Sequence, residues 1–277
     1  MALFGDYSKA GKGVAKDAPK KKALFRFLEL YFRKFWKLLG LNILTFICCI
    51  PIITIGPSIA GMTRVIKLYS MEKHADVLSD FWNGFSKNWK QSLPMGIIDT
   101  IVLLGICVGM KVYPSMGEST GNTTFFNILC VLSVSLGLTF LIMNFFIFPM
   151  IVSTNLPLMA IIKNAFYLTC LALKTNVITL LIYGVTIALI AVSVLINPLS
   201  AIIVPIWPIT FLGYVSVFNS YPVIQKYVID PYYEQKGEEN PEYAYLKPLD
   251  PEDSVFVDRG GSEAPIESKS KKGKTIS

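Results

Sequence analysis

Histidine is all but missing from this chain: of 277 residues only His74 is one, and it lies in the charged segment MEKHAD, outside any HExxH or H-x-E setting. A solvated surface histidine fits that context, and the zinc chemistry built on those motifs is left without ligands. The cysteines are few and follow no pairing pattern. Cys48, Cys49, Cys107, Cys130 and Cys170 all lie in apolar stretches with no CxxC spacing, which argues against a disulfide framework and against a zinc site. No Walker A lysine loop, no GxGxxG and no GxSxG occurs, so ATP hydrolysis, dinucleotide binding and the serine-hydrolase elbow find no support. Paired acids in a common site are lacking too. The chain is therefore expected not to be an enzyme, with no catalytic, cofactor-binding or metal-ligating residues and no cofactor.

Charge is scarce as well. Only 16% of residues are Asp, Glu, Lys or Arg, against about 25% in soluble domains, while 53% are hydrophobic and the mean hydropathy is +0.51. Several uncharged runs are long enough to cross a bilayer, which excludes a water-soluble globule and makes the lipid bilayer the first expected partner. The charge that is present is uneven. Residues 1–37 hold ten of the 26 Lys and Arg against only Asp6, Asp17 and Glu29, and the net formal charge is +7. Beside an apolar run this balance marks a cytoplasmic segment facing anionic lipid, and nucleic acid is not expected as a partner. The first apolar run begins only near Leu38, so no cleavable leader is expected.

Residues 1–22, rich in Gly, Lys and Ala, are expected to form a basic flexible tail. From Ala23 the segment ALFRFLELYFRKFWK places Arg26, Glu29, Arg33 and Lys37 at helical spacing among apolar residues, which predicts an interfacial helix anchored by Phe35 and Trp36. The uncharged run from Leu38 to Thr63 is interrupted by Pro51, Gly56 and Pro57. That pattern predicts a hairpin: a span ending near Pro51, a turn through IPIITIGP, and a short helix from Ser58 to about Met71. Pro57 then sits in its first turn, where the missing N–H costs nothing. Residues 72–91 carry the aromatic ladder Phe81, Trp82, Phe85 and Trp89 and predict a separate helix along the cytoplasmic surface. Further spans are expected at about 93–110, 125–148, 176–195 and 201–221. Pro149 and Pro157 would divide the second of these from an amphipathic segment, and Asn197-Pro198 would separate the last two. IPIITIGPSIAGMTRVIK and FPMIVSTNLPLMAIIK also share a loose proline spacing, a weak echo of an internal repeat.

The fold class that follows is all-α: a polytopic helical membrane protein with about six membrane-inserted helices, five clear spans plus the short returning helix, and amphipathic interfacial helices. Charge supports the hairpin, because it keeps Arg64, Lys67, Lys73, Lys87 and Lys90 on the side of the basic N-terminus and leaves only Lys111 outside. The expected location is the cell membrane, multi-pass, with both termini cytoplasmic. The chain would divide into the tail 1–22, a helical transmembrane domain 23–227 and a polar, largely disordered tail 228–277.

Asp99 is the one acid inside a clear span, and intramembrane carboxylates are costly enough that many serve ion or proton transfer. Counted from Leu93 it lies about 9 Å inside the cytoplasmic end, shallow enough for hydration or for pairing with Arg64 or Lys67, and a structural role is the plainer reading. Arg64 and Lys67 could instead snorkel to the boundary or contact a partner. The ladder of Phe81, Trp82, Phe85 and Trp89 has basic neighbours, but its place before a span favours membrane anchoring over stacking on nucleic acid. Asn42, Asn144 and Asn219 are placed to hydrogen-bond between helices.

The segments FWKLLGLNILTFICCIPIITIGPSIAGM, DFWNGFSKNWKQS and FPMIVSTNLPLMAIIKNAF resemble the YesL-like family of small bacterial membrane proteins, over about residues 23–227. The features that carry the resemblance are the aromatic and basic leading helix, the P-x-x-T-x-G-P turn of Pro51, Thr54, Gly56 and Pro57, and the aromatic stretch before the next span. The family has no known function and defines no catalytic residues. Its genes in Gram-positive bacteria commonly sit beside those for carbohydrate ABC importers and their sensor kinases, which implies a role in glycan uptake. The long acidic C-terminal tail departs from the family's short ending. The resemblance leads to the expectation of a non-catalytic accessory subunit of an ABC-type oligosaccharide importer, packed against the ABC transporter permease subunits. A small independent secondary transporter and a membrane regulator of a sensor kinase are the alternatives.

Overall fold

In the computed structural model of the chain, residues 23–238 and 240–242 are described. The tail 1–22 and the tail beyond 242 lie outside the described residues. Every element among the described residues is helical, and the body Ala23–Asn240 is one compact unit.

The leading helix α1 (Ala23–Arg33) bends at Lys34 into α2 (Phe35–Cys49). The turn expected at IPIITIGP is present: a single 3-10 turn, Ile52–Thr54, joins α2 to α3 (Ile55–Ser70). Pro57 occupies the first turn of α3, where the N–H it lacks would have no helical partner. Thr54 Oγ1 donates to the carbonyls of Cys48 at 2.6 Å and Pro51 at 2.8 Å, and Ser58 Oγ reaches Cys48 O at 2.9 Å. These hydroxyls satisfy carbonyls that the end of α2 leaves open. Most of α3 is buried, so this short helix is the centre of the body rather than a marginal returning element.

The helix that follows departs most from the sequence pattern. In place of a surface helix followed by a span, a single helix α4 (Val77–Thr120) runs for 44 residues, about 66 Å at 1.5 Å per residue. Asp76 caps it by accepting from the Ser79 N–H at 3.0 Å, while Asp80 reaches back to the Asp76 N–H at 3.0 Å, a reciprocal cap that fixes the start. Pro94 and Pro114 lie inside it. Proline in an apolar helix is tolerated where neighbouring helices support the backbone, and nothing between Ser92 and Leu93 ends the helix. Gly121, with φ 71°, closes α4 in the left-handed conformation that glycine adopts without strain. With only Gly121 and Asn122 between them, α4 and α5 (Thr123–Ser153) fold back as an antiparallel hairpin.

Pro149 also fails to divide its segment, since α5 continues through it to Ser153. The break falls at residues 154–157, and α6 (Leu158–Leu171) starts after Pro157. The two proline segments that echo one another in sequence each join one helix to the next, the first through a single 3-10 turn and the second through the break at residues 154–157. A bend at Ala172 leads into α7 (Leu173–Ile196). Asn197 caps a 3-10 segment, Pro198–Ile203, by accepting from the Leu199 N–H at 3.1 Å. The last apolar helix, α8 (Pro208–Ile224), therefore begins later than 201, because Pro205 and Pro208 delay helical bonding. A π-helical turn at Gln225–Ile229 and the helix α9 (Asp230–Lys236) carry the helical body beyond residue 227.

Three helices, α4, α5 and α7, are long and apolar enough to cross a membrane. The core lies among α2, α3, α8, the first part of α4 and the last part of α5, with Leu38, Leu41, Val65, Ile66, Phe81, Met95, Phe146 and Tyr214 at 0 or 1% exposure.

Candidate functional site

The densest construction joins α3 to α4. Where the two helices cross, Gly56 lies against Gly96: a Cβ on Gly96 would stand 2.6 Å from Gly56 Cα, and one on Gly56 would collide with the Ser92 carbonyl. Farther along, a Cβ on Gly84 would stand 2.9 Å from Gly61 Cα and 2.9 Å from Arg64 Cβ. Four glycines on two helices thus let the backbones touch, the small-residue packing that apolar helices use where no water drives association. Pro51, Thr54, Gly56 and Pro57 belong to this crossing: the first two with Pro57 shape the turn, and Gly56 is the contact itself.

Arg64, level with Gly84 on α4, forms an ion pair with Asp80 at 3.7 Å, and the pair is three-quarters buried. Its Nε is buried without a hydrogen bond, so charge rather than directed bonding holds it. Lys67 stacks its ammonium over the Tyr221 ring of α8 at 4.9 Å. Neither meets Asp99. From residue 84 to residue 99 is about 22 Å along α4, and that distance removes the pairing that the sequence leaves open beside hydration.

Asp99 instead faces α5. Asn144 Nδ2 donates to Asp99 Oδ1 at 2.7 Å and to the Phe140 carbonyl at 3.3 Å, while Asn144 Oδ1 is buried with no hydrogen-bond partner. The depth changes too, since α4 is continuous between Lys90 and Lys111. Asp99 stands about 14 Å from the first and about 18 Å from the second along the axis, near the middle of the apolar stretch.

The aromatic candidates separate. Trp36, Trp82 and Trp89 are exposed and Phe85 is half-buried, as boundary anchors need. Phe81 is fully buried against Gly61 and is a core residue instead. Its place on the ladder hid the distinction, because four aromatics at helical spacing look alike until a partner covers one of them.

Two constructions had no sequence signal. Glu72, in the α3–α4 loop with φ 60°, lies 3.4 Å from both Arg26 and Arg33 and ties α1 to that loop. All three are about half exposed, so the tie adds under about 1 kcal/mol per pair. On the other side, Trp207 Nε1 donates to the Tyr31 hydroxyl at 2.6 Å within a cluster of Phe27, Phe211 and Tyr214. Burial pushes the Tyr31 phenol up from its ordinary range, against the opposing effect of that hydrogen bond.

A different kind of surface is offered by the outer hairpin. Past Gly96 the only buried residues of α4 are Gly109 and Gly117, and before Met143 the only buried residue of α5 is Gly137. Leu103, Leu104, Val108, Val131, Leu132 and Leu136 are all exposed. Among the described residues no group of His, Cys, Asp and Glu is placed to hold a metal ion.

Residues 38–110 match the family model described as Protein of unknown function, DUF624. The matched part holds the turn, the glycine crossing, the Arg64–Asp80 pair and Asp99, and ends within α4. The similarity is to an uncharacterised domain family. No curated protein and no solved structure matches the chain.

Proposed function

We propose that this is a non-catalytic accessory membrane subunit of a bacterial ABC-type carbohydrate importer, which packs the outer halves of α4 and α5 against permease helices. The observation that carries the reading is that hairpin: two apolar helices leave the body at Gly96 and Met143, bury only glycines beyond those points and leave most of their large side chains exposed. Lipid alone can solvate such helices, but the tight glycine crossing behind them holds the hairpin as a fixed projection, which suits docking. The partner class comes from the YesL-like resemblance, to which the match over residues 38–110 lends support. In this reading the protein resides in the cell membrane with both termini cytoplasmic.

A photo-crosslinking side chain placed at Leu104 or Leu136 in native membranes is expected to capture permease subunits of a carbohydrate importer. Recovery of lipid adducts alone at both positions would count against the proposal. A small independent transporter is the second reading, favoured by the polar Asp99–Asn144 pair inside an apolar hairpin. Sugar flux into vesicles holding this chain alone would move it to first place.

A further inference from the structure

Asp99 is a carboxyl group in surroundings that cannot neutralise a carboxylate. On α4 itself the flanking charges are Lys90 and Lys111, each more than a full helical turn away, at about 14 and 18 Å. The facing helix α5 contains no Asp, Glu, Lys, Arg or His, and its one titratable residue, Cys130, lies toward the hairpin tip. From α3, Arg64 is engaged with Asp80 and Lys67 with the Tyr221 ring, both at the far end of the crossing together with Tyr69. From α2 come Lys37, at the opposite end of that helix, and the thiols Cys48 and Cys49 beside the turn. An ionised carboxylate so placed in hydrocarbon is strongly disfavoured.

The hydrogen-bond inventory gives an independent argument. Asn144 spends its amide protons on Asp99 Oδ1 and the Phe140 carbonyl, which leaves its own Oδ1 buried and in need of a donor. A carboxylate only accepts, whereas a carboxylic acid has one O–H to give. An acid and an amide side by side can exchange two hydrogen bonds, one in each direction.

We propose that Asp99 and Asn144 form a proton-binding site inside the membrane. Asp99 holds one proton, taken up from water, as the neutral acid and donates it to Asn144 Oδ1, while Asn144 Nδ2 donates to Asp99 Oδ1. No other bond changes. The site lies where α5 enters the core, beside the buried run Phe145–Ile151, so the bound proton joins the hairpin to the body without charge. Loss of the proton puts an unpaired negative charge at that junction and loosens α4 from α5. This inference stands apart from the importer reading, because it concerns the junction and not what covers the hairpin.

The test is infrared spectroscopy of the full chain reconstituted in lipid bilayers at neutral pH, with isotopically labelled aspartate. The expected result is a label-sensitive carboxylic-acid C=O band that Asp99→Asn removes and Asn144→Leu moves to higher frequency. Absence of any label-sensitive acid band in the unsubstituted chain would overturn the proposal, as would a band that persists in Asp99→Asn. Should Asp99→Asn fail to fold, the labelled unsubstituted chain and Asn144→Leu still decide it: a band unmoved by Asn144→Leu places the acid elsewhere and sinks the idea.

Discussion

Asn42 is fully buried on α2 and uses both ends of its amide to hold α8. Its Nδ2 donates to Pro205 O at 2.8 Å and its Oδ1 accepts from the Thr210 N–H at 2.8 Å. Trp207, the residue at the N-cap of α8, supplies no side-chain cap, so a donor in the first turn of that helix is satisfied from another helix altogether. Asn42→Leu removes these bonds, together with those to Val204 O and from Thr210 Oγ1, and leaves the buried Thr210 N–H and the part-buried Pro205 carbonyl unpaired. The expected loss is about 2–6 kcal/mol, at about 1–3 kcal/mol for each unsatisfied group. Asn219→Leu breaks only one side-chain bond, to Thr179 Oγ1 at 3.0 Å, for which about 1 kcal/mol is expected. Equilibrium unfolding in detergent micelles compares the two, and equal losses would contradict the cross-helix cap. That Asn42, Asn144 and Asn219 bond between helices was legible in sequence, because an amide in an apolar run must find a partner. Which partner was not legible. Asp99 and Asn144 are 45 positions apart, and only the α4–α5 hairpin sets them side by side.

At the α3–α4 crossing glycine brings backbone against backbone, whereas Gly105 of α4 faces open space, and the difference is measurable. A methyl group at Gly96 would stand 2.5 Å from the Gly56 nitrogen, with backbone and not a flexible side chain in its way. Gly96→Ala is therefore expected to lose about 1–3 kcal/mol through overpacking. Gly105→Ala, on the same helix with nothing within 4 Å of the new carbon, is expected to be neutral or to gain up to about 1 kcal/mol of helix propensity. A thermal-unfolding comparison of the two variants reads this directly, and a Gly96→Ala protein as stable as the Gly105→Ala one would mean that α3 and α4 are not packed backbone to backbone. The turn at residues 51–57 was visible because three breakers fall within seven residues, with hydroxyls ready to close the α2 end. Pro149 misled for the complementary reason. A lone proline removes one hydrogen bond, and in a long apolar helix the gain from keeping every other backbone bond outweighs that loss. Helix α3 was underrated on similar grounds: its length and its Arg64 and Lys67 look wrong for a crossing, yet its small residues make it the piece that the other helices pack around.

At the scale of the whole molecule, helix lengths constrain how the chain threads the bilayer. The 15 residues of α2 and 16 of α3 rise about 22 and 24 Å, less than the roughly 30 Å hydrocarbon thickness. Joined by one 3-10 turn, they would go in and come back in the threading proposed above, with the α3–α4 loop on the side where α1 began. In the same threading α4 and α5, both long and apolar enough to cross, go over and return around Gly121. Helix α7 would cross next, and the 17 residues of α8, about 26 Å, would bring the chain back through the segment that follows Asn197. The scheme keeps Lys87, Lys90, Lys163 and Lys174 on one side and puts Lys111 alone near the other, in accord with the bias of basic residues toward the cytoplasm. After replacement of the five native cysteines, single cysteines at exposed Thr120 and Leu199 are expected to react with an impermeant maleimide in intact cells. Cysteines at His74, Lys163 and Lys236 should react only once the membrane is opened. Labelling at His74 from outside would mean that α2 crosses alone and that the turn at Pro51 does not return the chain. Labelling at Lys236 from outside would mean that α8 stops short, which would leave the Asn42 cap and the Tyr31–Trp207 bond joining segments on opposite faces, a geometry these distances forbid.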